Sequence, residues 1–146
     1  MTRWMTGAFA VTRELVGRLR EGDYDFVLVN FANPDMLGHT GMLTAATKAV
    51  ETIDTCLAAV MDALLAAEGQ ALVTADHGNC ELMIDPATGG PHTAHTTNPV
   101  PLWWLTPEKG GRSLRDGGLS DVAPTLLELL EVPAPTEMTG KSLIVS

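Results

Sequence analysis

Basic residues are what this chain has least of. Between Glu21 and Pro107 there is one, Lys48, against eleven Asp and Glu, and the net charge of the whole chain is −9. That balance excludes nucleic acid and anionic membrane surfaces as partners, because both are held by clustered Lys and Arg. It also means that the acidic middle of the chain cannot hold a phosphate or carboxylate substrate by itself. Metal ions, or Arg and Lys from other parts of a protein, must do so. Cysteine is nearly as scarce: Cys56 and Cys80 are the only two. This is no disulfide framework, and the usage suits a reducing, cytoplasmic compartment. No apolar run reaches membrane-spanning length, and the N-terminus lacks a basic-then-apolar leader pattern. What is present is the composition of a globular protein, 45% hydrophobic and 18% charged, with 146 residues for one domain and its core.

Periodicity places the elements. Ala8, Val11, Leu15, Val16 and Leu19 form a helical stripe over residues 8–20, with Arg18 and Arg20 at its negative end and Gly22 at its cap. Phe26-Val27-Leu28-Val29 reads as a buried parallel strand within residues 25–30. Leu43 to Glu68 is a long amphipathic helix whose stripe runs through Ala46, Val50, Ile53, Leu57, Val60, Met61 and Leu64, with Gly69 ending it. Cys56 lies near that stripe as a small buried hydrophobe. Ala71-Leu72-Val73 is a second buried strand, and residues 100–105 a third. Residues 25–75 then form a β-α-β unit with a right-handed crossover, which brings both strand ends to one side of the sheet. Glu81 to Ile84 suggests a short edge strand, and Pro107 to Gly118 an exposed basic loop with Lys109, Arg112 and Arg115. A helix capped by Ser120-Asp121 runs to Glu131 with Leu126, Leu127 and Leu130 inward, and Leu143-Ile144-Val145 closes the chain as a strand.

Three loops carry metal-ligating groups. In the first, Asn33 can cap and Pro34 can open a single helical turn, which sets Asp35 and His39, four residues apart, on the same side. The second places Asp76 and His77 side by side where the strand at residues 71–75 ends, the position at which open α/β sheets bind ligands. The third holds His92 and His95 ahead of the strand at residues 100–105, so it reaches the site only by looping back across the sheet edge. His95 is the candidate ligand, and His92 reads as a solvated bystander. Mixed carboxylate and imidazole ligation suits Mn²⁺ or Zn²⁺ better than Ca²⁺, and two such ions would clamp the attacking and leaving oxygens of a phosphoryl transfer. Cys80, close by, reads as a structural thiol.

No nucleophile accompanies these groups. The serines are Ser113, Ser120, Ser142 and Ser146, none beside the Asp and His residues in sequence. Thr40, Thr74, Thr93 and Thr96 lie closer, without an evident paired base. From residues alone the chain holds metal-binding loops without the rest of an active site.

Asn30-Phe31-Ala32-Asn33-Pro34-Asp35-Met36-x-Gly38-His39-Thr40-Gly41, then Thr74-Ala75-Asp76-His77-Gly78-Asn79, then Thr93-Ala94-His95-Thr96-x-Asn98-Pro99-Val100-Pro101 occur in that order. Together they resemble the C-terminal part of cofactor-independent (2,3-bisphosphoglycerate-independent) phosphoglycerate mutases of the alkaline phosphatase superfamily. Ser120-Asp121-Val122-Ala123-Pro124-Thr125 and Met138-Thr139-Gly140-Lys141-Ser142-Leu143 resemble that family's closing segments. The first motif is specific to the mutases, while the shorter Asp-His pieces are shared across the superfamily.

The resemblance implies an α/β fold, the C-terminal portion of a three-layer alkaline-phosphatase-like sandwich. Residues 1–146 would be the C-terminal segment of a discontinuous metal-binding phosphatase domain, with the substrate-binding domain and the N-terminal segment absent. It implies a cytoplasmic, monomeric parent enzyme of glycolysis that interconverts 3-phosphoglycerate and 2-phosphoglycerate through a phosphoserine. Two divalent ions would assist, Mn²⁺ first and Zn²⁺, Co²⁺ or Mg²⁺ as alternatives. By motif, Asp35, His39 and His95 resemble the ligands of one ion, and Asp76 and His77 two ligands of the other. The serine nucleophile, a further Asp ligand and the substrate-binding Arg residues lie in earlier parts of the family chain, so this chain alone is expected to be inactive and its substrate-binding residues are not assigned. Two other readings compete. One is a different superfamily enzyme, such as a phosphopentomutase or a phosphodiesterase, against which the long first motif speaks. The other is a stand-alone metal-binding domain without catalysis.

Overall fold

The structure is a computed structural model that describes residues 3–107 and 110–145. Lys109, placed in the basic loop on sequence grounds, lies outside them. Helix α1 (Arg3–Glu21) is followed by a short α2 (Asn33–Gly38) and the long α3 (Leu43–Ala66). Strand β1 (Ala71–Thr74) pairs with β2 (Leu102–Leu105), and β3 (Ser113–Leu114) with β4 (Ile144–Val145); helix α4 (Val122–Leu129) lies between the last two. The class is mixed α/β, as the sequence implies. No helix among the described residues is long and apolar enough to cross a membrane.

The core lies where α1 and α2 pack on α3. Its most buried positions are small: Ala8 and Thr12 on α1, and Ala46, Ala49, Thr52, Cys56, Val60 and Ala63 on α3. Small side chains let helix backbones approach closely. The threonines add no unsatisfied hydroxyl, because Thr12 Oγ1 donates to Ala8 O at 2.9 Å and Thr52 Oγ1 to Lys48 O at 2.7 Å. The buried face of α3 is therefore rotated from the expected stripe. Val50 is exposed, and Ile53, Leu57, Met61 and Leu64 are only half-buried. The expected cap of α1 is present, with the N–H of Gly22 on Arg18 O. At the end of α3 it is Glu68, not Gly69, that takes the left-handed conformation, with φ 55°.

Three expectations about strands need correction. Residues 26–29 are extended but form no β-ladder among the described residues, and Phe26, Val27, Leu28 and Val29 are all exposed, Leu28 to 83%. An apolar β-branched run favours extended backbone, but a strand also needs a paired neighbour to take its hydrogen bonds, and none pairs with it among the described residues. The parallel β-α-β unit is consequently not formed. The sheet that does form is antiparallel, with Ala71 opposite Leu105 and Thr74 opposite Leu102. Lastly, residues 81–84 contribute only an isolated bridge, Ile84 with Pro91.

The C-terminal third is held by polar ties. Asp121 accepts the N–H groups of Lys141 at 2.8 Å and Gly118 at 3.1 Å, and these two bonds, in that order, hold its carboxyl below the ordinary carboxylate range. Arg115 donates to the carbonyls of Asp116, Lys141 and Ser142. Arg112 pairs with Glu128 and lies 5.9 Å from the Trp104 ring. The expected loop at residues 107–118 thus contains β3, and both described arginines are engaged in structure. Within α4 the buried residues are Pro124 and Thr125, while Leu126 and Leu127 are half-buried and Leu130 is exposed.

Candidate metal centre

Antiparallel pairing solves the problem of the third loop. Because Thr74 faces Leu102, the residues leading into β2 lie beside the residues leaving β1. An isolated bridge between Gly78 and Thr96 then fastens the two loops together. The loop carrying His95 therefore reaches the Asp76-His77 turn without crossing the sheet.

Helix α2 supplies the other side. Its N-cap is Ala32 rather than the expected Asn33, with proline in the first turn. The single turn sets Asp35 and His39 four residues apart on one face, with His39 Nε2 at 3.2 Å from Asp35 Oδ1. His95 Nε2 lies 3.0 Å from the same oxygen and 3.0 Å from His39 Nε2. Asp35, His39 and His95 form a group of three whose ligand atoms lie within 4.8 Å of one another. His77 Nε2 is 3.9 Å from Asp35 Oδ1 and 3.7 Å from Asp76 Oδ1. The His77 ring stacks on that of His95, with centroids 3.7 Å apart. Asp76 is the most exposed of the five, with a side chain 83% accessible. His39, His95 and His77 thus lie around the Asp35 carboxylate, and Asp76 adjoins the group only through His77.

Proton placement makes the cluster informative. His39 Nδ1 lies 2.6 Å from the carbonyl oxygen of Thr93. A carbonyl only accepts, so Nδ1 carries the hydrogen, and in the neutral ring Nε2 presents a lone pair. That lone pair faces a carboxylate oxygen and a second imidazole nitrogen at 3.0–3.2 Å. A carboxylate oxygen and two imidazole nitrogens at these distances share either a proton on His95 Nε2 or a cation between them. Ligand bonds of about 2.0–2.2 Å put neighbouring ligand atoms about 3 Å apart, so the spacing fits a divalent ion. A histidine whose other ring nitrogen is anchored on a backbone carbonyl is also the usual outer arrangement of a metal ligand.

Two neighbours were not assigned roles from the sequence. Asn79, only 6% exposed, donates through Nδ2 to Asp35 Oδ1 at 3.2 Å. It fits because position 38 is glycine, where any Cβ would overlap the Asn79 side chain. Glu81 accepts from Thr96, Asn98 and Asn79. Burial raises its pKa, but these bonds together outweigh that and hold it below the usual range. Both residues lie two or more positions beyond the Asp-His pair, and only their nearness to that motif could have marked them. Cys80 is a structural thiol, its Sγ–H donating to Pro34 O at 3.0 Å, and burial followed by the Glu81 and Asp35 charges pushes its pKa up. His92 is outside the cluster but is not solvated. It is half-buried, its N–H donates to Met83 O, and its Nδ1 is buried without a partner among the described residues.

A carboxylate and two imidazoles are a donor set that suits a metal ion, and residues 3–134 match the family model of the Metalloenzyme superfamily, to which this chain belongs. Within that superfamily it is similar to 2,3-bisphosphoglycerate-independent phosphoglycerate mutases. It is 63% identical over 129 residues to that of Rhodopseudomonas palustris, covering 88% of this chain and 25% of the relative. It is 53% identical over 138 residues to that of Clostridium perfringens strain SM101, covering 94% and 27%. A crystal structure of Leishmania mexicana phosphoglycerate mutase at low cobalt concentration superposes with a TM-score of 0.83 at 36% identity, covering 94% of this chain and 28% of that one. The chain spans about a quarter of the length of these relatives.

Proposed function

We propose that the chain is the C-terminal segment of the metal-binding domain of a 2,3-bisphosphoglycerate-independent phosphoglycerate mutase, an isomerase that interconverts 3-phosphoglycerate and 2-phosphoglycerate in the cytoplasm. The observation that carries this reading is the convergence of Asp35, His39 and His95, with the Nε2 lone pair of His39 aimed into the group. Asp35, His39 and His95 hold one divalent ion. Asp76 and His77 offer two ligands to a second. Mn²⁺ suits this oxygen and nitrogen set, and Co²⁺ and Zn²⁺ suit it nearly as well. Ions held there would supply charge neutralisation and polarisation at a transferring phosphoryl group.

The chain's own residues bind and orient. His39 is fixed by Thr93, and Asp35 is steered by Asn79. The serine that accepts the phosphoryl group and the cations that hold the substrate carboxylate belong to the remainder of the enzyme. The described serines support this division: Ser113 lies in β3, Ser120 in the turn before α4, and Ser142 just before β4, its Oγ accepting from Ile144 N–H. Arg112 and Arg115 are already committed to Glu128 and to backbone carbonyls.

The test is a Co²⁺ or Mn²⁺ titration of the chain and two variants. His95→Ala abolishes binding, and His92→Ala leaves it nearly unchanged. Equal losses from both would show that the wrong histidine has been assigned or that both ligate. With Mn²⁺ and 3-phosphoglycerate the chain alone shows no turnover, and mutase activity appears on adding the complementary part of the enzyme. Turnover by the chain alone, lost in Asp76→Ala, would overturn the segment reading.

A further inference from the structure

Glu81 hydrogen-bonds to none of the five candidate ligands, yet it joins the loops that carry three of them. Its Oε1 accepts from the Thr96 hydroxyl and from Asn98 Nδ2 at 3.0 Å, and its Oε2 accepts from the Asn79 N–H at 2.6 Å. Thr96 and Asn98 follow His95 in the loop before β2. Asn79 follows Asp76 and His77 in the turn after β1. One carboxylate thus spans the gap between the two loops. All three partners are donors, which suits an ionised group that only accepts.

The contact beside it is tight. Thr96 N–H donates to Gly78 O at 2.8 Å, and a Cβ at position 78 would overlap both Thr96 Oγ1 and Glu81 Oε1. Glycine at 78 is therefore a condition of the clamp. The residues immediately before the two bridge partners are His77 and His95, the stacked pair. Fixing Gly78 against Thr96 fixes those rings, and with them the approach of His95 Nε2 to Asp35.

We propose that Glu81 is a positioning residue for the metal centre: it locks the His95 loop onto the Asp76-His77 turn and so sets the distance between His95 and Asp35. This rests on the reading that Asp35, His39 and His95 hold the cation. The experiment is a Co²⁺ titration of the full chain and of Glu81→Ala, Glu81→Gln and Thr96→Val, followed by the visible absorption of the bound ion. It is paired with hydrogen exchange of the Thr96 amide in the metal-free protein and with thermal melting. Glu81→Ala weakens Co²⁺ binding by about 10–100-fold, as loss of an outer support typically does, and alters the absorption envelope. Thr96 amide exchange accelerates about tenfold or more, without metal and without a matching fall in melting temperature. Glu81→Gln and Thr96→Val each break part of the clamp and give smaller losses. These two decide the matter if Glu81→Ala does not fold. Co²⁺ affinity in the variants equal to that of the parent overturns the inference and leaves the metal reading standing. So does a loss that only tracks global stability. A parent chain that binds no Co²⁺ overturns the metal reading. In that case unchanged Thr96 exchange in Glu81→Ala overturns the clamp as well, and accelerated exchange upholds it.

Discussion

Thr125→Val isolates one hydroxyl. Thr125 is fully buried in α4, and its Oγ1 does two things at once. It donates to Asp121 O at 2.7 Å and accepts the N–H of Leu143 at 2.9 Å. Leu143 is itself 2% exposed and stands at the entrance to β4. Valine has nearly the same shape, so the change opens no large cavity. The Asp121 carbonyl keeps its place as acceptor for the first helical N–H. The Leu143 N–H has no such substitute and is left buried without an acceptor, which costs about 1–3 kcal/mol. For a chain of this length that corresponds to a melting temperature lower by roughly 3–10 °C. Urea unfolding followed by tryptophan fluorescence measures the loss, and hydrogen exchange of the Leu143 amide locates it. Thr125→Ser keeps the hydroxyl and serves as the control. If Thr125→Val is as stable as the parent within about 0.5 kcal/mol while Thr125→Ser is the weaker variant, the hydroxyl does not hold β4 and the reasoning fails.

Gly38→Ala drives a methyl into the Asn79 side chain and breaks the Asn79–Asp35 bond, so Co²⁺ affinity falls by about 10-fold or more; a titration with unchanged affinity would show that Asn79 does not steer Asp35. Asp121 has a depressed pKa, first through the Lys141 N–H and then through that of Gly118, so its contribution to stability is present above about pH 4 and is lost as the pH falls through its folded value. Asp121→Asn therefore lowers the urea midpoint at pH 7, and the gap to the parent narrows below about pH 4; a gap independent of pH would contradict this. Arg112→Ala removes an exposed ion pair and a guanidinium near Trp104, so it costs no more than about 1 kcal/mol while shifting the tryptophan emission; an unshifted spectrum would show that the cation does not reach the ring.

Local chemistry was readable and partnership was not. Asp35 and His39 could be paired because four residues make one helical turn, and Asp76 and His77 because they close an apolar run. The long helix was legible from its period, but its buried face was not. Which stripe is buried depends on how near α1 comes, and Ala46, Ala49 and Cys56 win over Val50 because the helices meet closely. The route by which His95 joins the site is not legible in the sequence, since a strand's direction relative to its neighbour is not written in its residues. Thr74 opposite Leu102 is what shortens that route. Asn79 and Glu81 went unassigned because their importance lies in contacts with residues 44 and 17 positions away.

The unpaired run Phe26-Val27-Leu28-Val29 has a consequence for the behaviour of the chain in solution. Four adjacent residues offer apolar side chains, β-forming backbone and no charge, with every member exposed. Such a segment templates strand addition by any chain of similar character, a second copy of itself included. A complementary strand laid along the run would take up its free backbone groups and remove that liability.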